Sequence, residues 1–193
     1  MAAEPEAVRS HEYGERREVL VGAAIRLVAR SGLRALTYRS LAREAGVSHT
    51  LIAHHFGSLD AVLDEALSAT IDASVADLDL RPSSGRVGDF VADLVPGVAR
   101  APENFAFQYQ VMLEARATGD PSHRLRLLHD RYRDVLRAAL RDMEVPADDG
   151  TVELVYAALE GIVFHQVVAV EERLSERAIE RLRTVLDLLR QRD

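Results

Sequence analysis

Apolar residues first recur at helical spacing within residues 15–31, through Val19, Leu20, Ala23, Ala24, Leu27 and Val28, and Ser31-Gly32 supplies a stop. Residues 33–36 form a short connector. Thr37 is placed to N-cap a short second helix carrying Leu41, Ala42 and Ala45, which Gly46 ends. Ser48 is placed to N-cap a third helix that runs to His55 or Phe56. From Ser58 the helices lengthen. Leu59, Val62, Leu63, Ala66, Leu67 and Ile71 form one stripe, broken at residues 81–85. Val87, Phe90, Val91, Leu94 and Val95 predict the next helix, interrupted near Pro96-Gly97 and ended by Pro102. Residues 103–118 read as helical until Gly119-Asp120-Pro121, where Asp120 caps a long helix with Pro121 in its first turn. On that helix Leu125, Leu128, Tyr132, Val135, Ala139 and Met143 recur at intervals of three and four. After a loop at 145–150, two further helices, about 151–170 and 175–190, are joined by a link at 171–174. No useful strand alternation and no long repeat interrupts the series, so the expected fold is all-α with about nine helices.

Residues 37–56 carry a mechanism. Two short helices around Gly46 meet the requirement of a helix-turn-helix, because glycine permits the positive φ that reverses the chain. Leu36, Leu41, Ala42, Ala45, Val47, Ile52 and Phe56 supply its apolar side. His49, Thr50, Ala53 and His54 remain for the outer face, short groups able to enter a major groove about 12 Å wide. Thr37, Ser48 and the backbone N–H groups at both helix starts can meet phosphate.

Composition changes the picture in three places. The net charge of −7 opposes nucleic-acid binding, yet residues 1–56 hold eight arginines against six acids, leaving the acidic excess to the rest of the chain. That suits a DNA-contacting head on an acidic body. The 193 residues contain no cysteine, which excludes disulfides and thiolate metal sites. No uninterrupted apolar run long enough for a membrane span occurs and the N-terminal residues are polar, so no membrane is expected and the localisation expected is bacterial cytoplasm. His49, His54 and His55 form no convergent metal set, since neighbours on a helix diverge by about 100°. No phosphate loop, Gly-x-Ser-x-Gly elbow or Glu-x-x-His pair is present, and neither an enzyme nor a cofactor is expected.

The run from Leu36 to Leu63, LTYRSLAREAGVSHTLIAHHFGSLDAVL, resembles the DNA-binding segment of the tetracycline-repressor (TetR) family, and the preceding helix, length and helix count fit too. The resemblance implies a helix-turn-helix domain over residues 1–57, with 1–14 disordered, and a helical ligand-binding and dimerisation domain over 58–193. It implies that Tyr38 and Arg39 meet the DNA backbone, that His49, Thr50, Leu51 and His54 read bases, and that His55 lies near phosphate. Ala53 and Leu59 depart from the family, which often has tyrosine and lysine there to hold the backbone. The function implied is a repressor released from double-stranded operator DNA by a small-molecule effector. A helical ligand-binding or protein-interaction module that has lost specific DNA binding is the alternative. If the histidines face DNA, their protonation would strengthen binding as pH falls.

A homodimer would set the spacing of two DNA half-sites. Val155, Leu159, Ile162, Val163, Gln166 and Val170 line one C-terminal helix, and Ile179, Leu182, Val185, Leu186 and Leu189 the other; these faces either form a four-helix interface or bury against their own subunit. Phe105, Phe107, Tyr109 and Met112, with His165, are candidates for an effector pocket, or are ordinary core.

Overall fold

The computed structural model describes residues 4–118 and 123–191, with side-chain surroundings for 14–117 and 123–191. Among them are nine α-helices, two short 3-10 helices and no strand: α1 (Glu4–Ser31), α2 (Tyr38–Ala45), α3 (His49–Phe56), α4 (Leu59–Asp77), α5 (Leu94–Arg100), α6 (Pro102–Thr118), α7 (His123–Asp142), α8 (Asp149–Ala169) and α9 (Glu172–Arg190). The expected all-α architecture is the observed one.

Local chemistry explains the short helices. Thr37 and Ser40 form a reciprocal capping box: Ser40 N–H donates to Thr37 Oγ1 at 3.1 Å and Thr37 N–H to Ser40 Oγ at 2.9 Å. Gly46 ends α2 in the left-handed region at φ 68°, and Val47 N–H returns to the Ala42 carbonyl at 3.0 Å, a closure of Schellman type. Ser58 caps α4 by accepting from Ala61 N–H. Asp148 caps α8 by accepting from Gly150 and Thr151 N–H, and these bonds, led by the Thr151 hydroxyl, hold its carboxyl below the usual range.

Several elements differ from expectation. α1 begins at Glu4, so residues 4–14, expected to be disordered, continue the helix, with Pro5 tolerated in its first turn. Ser48 occupies the N-cap of α3, but its hydroxyl makes no cap bond and stays exposed. The stripe from Val87 to Val95 is not one helix: a 3-10 turn at Val87–Asp89 is followed by Val91 at φ 51°, which stops propagation. α5 then runs through Pro96 and Gly97, the proline lying in its first turn. The α8–α9 link is shorter than predicted, Val170 and Glu171 alone. The predicted Asp120 cap and Pro121 lie outside the described residues.

One contiguous hydrophobic core joins the two ends of the chain, from Leu20 in α1 to Leu186 in α9. α1 packs on α2, α4 and α6; α4 also meets α6 and α7, and α8 meets α5, α7 and α9. A break between helices falls at Gly57-Ser58, but packing continues across it. The first three helices are therefore docked on the body through the same core that surrounds the cavity described below.

Candidate nucleic-acid interface and ligand cavity

The amphipathic pattern of α2 and α3 fixes what faces outward. Leu36, Leu41, Ala42 and Ile52 are buried, and Ala45, Val47 and Phe56 pack partly against them. That packing leaves Thr37, Arg39, Ser48, His49, Thr50, Ala53 and His54 exposed, with Tyr38, Leu51 and Leu59 half-buried. Tyr38, Arg39, Ser48 and His49 border one shallow hollow with Ala42 and Val47, where the starts of α2 and α3 converge. Arg39 makes no ion pair among the described residues, whereas Arg26 and Arg30 are both drawn to Glu44. The hydrogen bond from Arg30 holds the Glu44 carboxyl below its ordinary range.

His55 is the exception. It is 6% exposed, on the inner side of α3, so it does not stand near phosphate as expected. Position 55 is three residues on from buried Ile52, on the same helical face. Burial, and after it the neighbouring His54, Arg16 and Arg17, lowers the His55 pKa from 6.5. Burial lowers that of His129 on α7 as well. Both imidazoles take up protons more readily when the chain unfolds, so stability is present above about pH 6.5 and is lost as pH falls through the folded values. The melting temperature is expected to fall between pH 7.5 and 5.5, and to fall less in His55→Gln and His129→Gln. Identical pH dependence in wild type and both variants would contradict this. Acidification works against the stability of the head through His55, which faces inward.

Long-range clamps tie this head to the body. Arg17 of α1 donates to the His55 backbone carbonyl at 2.6 Å and pairs through Nε and Nη2 with Glu65 of α4. Its guanidinium also lies 4.2 Å from the Phe56 ring centroid. Arg124 of α7 donates to Asp64 at 2.6 Å and Asp60 at 2.8 Å, gripping the first turns of α4.

Between α6, α7, α8 and the segment that follows α4 lies a cavity with about 50 Å3 of open space. Phe105, Tyr109 and Met112 line it; Phe107 does not, being fully buried on another side of α6. His165 does not either: it is exposed beside Phe164 on the outer side of α8. Residues not anticipated complete the wall, among them Gln108, Tyr132, Tyr156 and Glu160. Tyr132 donates to Gln108 Oε1 at 3.1 Å and Gln108 Nε2 to Ser74 Oγ at 3.3 Å, a buried polar chain. The polar Glu160 within the stripe 156, 159, 160 and 163 was the available sequence signal.

The expected dimer face needs correction. Leu159, Val163, Gln166, Leu182 and Leu186 are buried within their own subunit, and Ile162, Val185 and Leu189 are half-buried. Leu159 and Val163 line the cavity, and Gln166 accepts from the Ser175 hydroxyl at 3.1 Å across the α8–α9 contact. The apolar groups left open lie on the opposite sides: Leu154, Phe164 and Val168 on α8, Val170 at its end, and Leu174 and Leu188 on α9. α8 is consequently long and apolar enough, by length and composition, to cross a membrane, although one of its sides is packed into the core.

A helix-turn-helix docked on a helical body with an apolar internal cavity defines a class of DNA-binding regulators. Residues 20–66 match the bacterial regulatory proteins of the tetR family, and residues 82–190 the tetracyclin repressor-like C-terminal domain. The HTH-type transcriptional regulator BetI of Rhizobium meliloti (strain 1021) is 30% identical over 158 residues, 78% of this chain and 77% of that protein. A TetR-family structure from Streptomyces coelicolor A3 superposes with TM-score 0.71 at 24% identity, covering 89% of this chain and 98% of the other. The multidrug binding protein EbrR, complexed with imidazole, gives TM-score 0.67 at 24% identity, covering 89% and 90%. The chain belongs to the tetR family of bacterial regulatory proteins. It is a DNA-binding transcriptional regulator and not an enzyme.

Proposed function

We propose that the chain acts in the bacterial cytoplasm as a homodimeric repressor, which holds double-stranded operator DNA with α2 and α3 and lets go when a small molecule enters the cavity. The observation that carries this is the exposed start of α3, where Ser48, His49 and Thr50 stand beside Arg39 on a rigidly packed head. His49, Thr50, Leu51 and His54 read base edges, and Thr37, Tyr38, Arg39 and Ser48 hold the sugar-phosphate backbone. His55 is left out of the contact set.

EbrR, of the same fold, is a multidrug binding protein, and the corresponding effector site here is the cavity beside Phe105, Tyr109 and Met112. Drug-sized sites measure roughly 300–1,000 Å3, so an opening of about 50 Å3 must widen to accept a ligand. Widening displaces α6 or α7. α6 packs directly on α1, and α7 grips α4 through Arg124, while Arg17 joins α1, α4 and the end of α3. The head therefore moves with the cavity wall. A coupling of about 1–3 kcal/mol between ligand and DNA suffices for regulation.

The test is a gel-shift with DNA upstream of the protein's own gene and neighbouring intergenic DNA, at several salt concentrations. Sequence-preferring binding is expected, with a shallow salt slope because few arginines face the DNA. His49→Ala or Thr50→Ala should relax base preference by about 1–3 kcal/mol at the affected position, whereas Arg39→Ala should weaken all sequences alike and flatten the salt slope by about 1. Absence of any preferred sequence would leave the chain as a ligand-binding module that no longer reads DNA.

A further inference from the structure

The charge inside the cavity is carried by one residue. Glu160 is the only charged side chain among those lining it, and its carboxylate makes no hydrogen bond or ion pair among the described residues. Its own backbone carbonyl accepts from the Tyr109 hydroxyl at 3.5 Å. Around it stand three phenol rings, Tyr109, Tyr132 and Tyr156. Burial first, and the Glu160 charge next, pushes the phenols of Tyr109 and Tyr156 well above their ordinary range, so both remain neutral hydrogen-bond donors.

The neighbouring arginine is already engaged. Arg133, whose guanidinium lies 5.6 Å from the Tyr156 ring centroid, is held by Glu153 at 2.8 and 3.2 Å. His129, 5.5 Å from the same ring, has its pKa lowered by burial, which outweighs the opposing pull of Glu160. Tyr109, Met112 and Glu160 also border a second, outer groove with Leu113 and Phe164. Glu160 thus stands between the inner cavity and that outer groove.

Three kinds of ligand can be compared. An anion would meet a carboxylate and no free cation. A neutral ligand would cover Glu160 and strip its water without replacing it, which is costly for an unpaired charge. A cation supplies the missing counter-charge and finds the negative ring faces that attract organic cations. From this geometry we infer that the effector is an organic monocation with an apolar body, its charged centre held between the Glu160 carboxylate and the rings of Tyr109 and Tyr156. The inference rests on the cavity being the effector site and adds the ligand's chemical class.

The test uses the full-length protein and three probes of similar shape in titration calorimetry: benzyltrimethylammonium, its neutral isostere neopentylbenzene, and the anion phenylmethanesulfonate. The cation is expected to bind at least 10-fold more tightly than either other probe. Glu160→Gln should weaken the cation at least 10-fold and leave neopentylbenzene unaffected. Failure of the cation to bind, equal binding of the neutral probe, or indifference to Glu160→Gln each overturns the charge assignment. Leu159→Trp, which fills the cavity, separates the two ideas. If it blocks whichever probe binds, the cavity stands as the site; if that probe binds undiminished, the cavity reading itself fails.

Discussion

Placing a glutamate at Phe164 and another at Leu188 is expected to convert the protein to monomers and to lower operator affinity by at least about 100-fold, while each subunit stays folded. On α8, positions 154, 157, 161, 164 and 168 follow one another at intervals of three and four, so Leu154, Ala157, Gly161, Phe164 and Val168 form a single stripe. All five are exposed, Phe164 to 47%. A methyl group added at Gly161 would meet nothing within 4 Å, so the subunit's own chain leaves the middle of that stripe bare. On α9 the stripe runs through Leu174, Arg177, Arg181, Thr184 and Leu188, with Leu188 exposed to 56%. An apolar stripe on α8, flanked by a stripe on α9 with leucines at both ends and Arg177, Arg181 and Thr184 between them, suits a four-helix interface between two copies. The small residues at 157 and 161 permit a close helix crossing there.

The size of the loss follows from linkage of two heads. Binding of one head converts the second into an intramolecular event, worth about 10²- to 10⁴-fold without any new contact. A monomer forfeits that factor even though α3 is untouched. Light scattering and gel-shift on the same samples, with circular dichroism as a check on folding, measure it. A double variant that remains dimeric would place the interface elsewhere. A monomer that binds the operator as tightly as wild type would remove the dimer from the mechanism.

What could be read along the chain was whatever is decided within a few residues. The Thr37-Ser40 capping box, the glycine reversal at 46 and the inward set Leu41, Ala42 and Ile52 are all local, and they fix the helix-turn-helix. The orientation of α8 was not local. Both of its sides are apolar, so periodicity identified stripes without saying which one the subunit itself covers; Leu159 and Val163 turned inward and Phe164 outward. His55 was misplaced for a related reason: α3 is only two turns long, and which of its adjacent histidines is buried depends on the rest of the fold. The clamps left no local trace at all, since Arg17 and Glu65 are 48 residues apart and Arg124 and Asp64 are 60 apart. Resemblance to a family supplied the head's chemistry, but the carboxylate and phenols of the cavity come together only when α6, α7 and α8 are packed.

Phe107→Ala is expected to destabilise the protein by about 3–5 kcal/mol, the range for losing a fully buried aromatic ring. For a chain of this length that lowers the melting temperature by roughly 6–20 °C. Aromatic density on α6 made Phe107 look equivalent to Phe105 and Tyr109, yet the helix divides them. Positions 105, 108, 109 and 112 line the cavity. Phe107 shares the other side with Val111, also buried, and with Gln110 and Glu114. Gln110 approaches Gly32, and Glu114 pairs with Arg34 at 3.5 Å, so this side belongs to the seam with α1 and the 3-10 turn Leu33–Ala35. Met112→Ala is the matched control. It enlarges a cavity that already exists and costs less, because Met112 is only partly buried. The expected division is a large stability loss with weakened coupling between effector and DNA for Phe107→Ala, against near-normal stability with altered effector affinity for Met112→Ala. Thermal melts and effector titration of the operator complex below the melting temperature distinguish them. Wild-type stability combined with lost effector binding in Phe107→Ala would return that ring to the cavity and reverse the assignment of the two sides of α6.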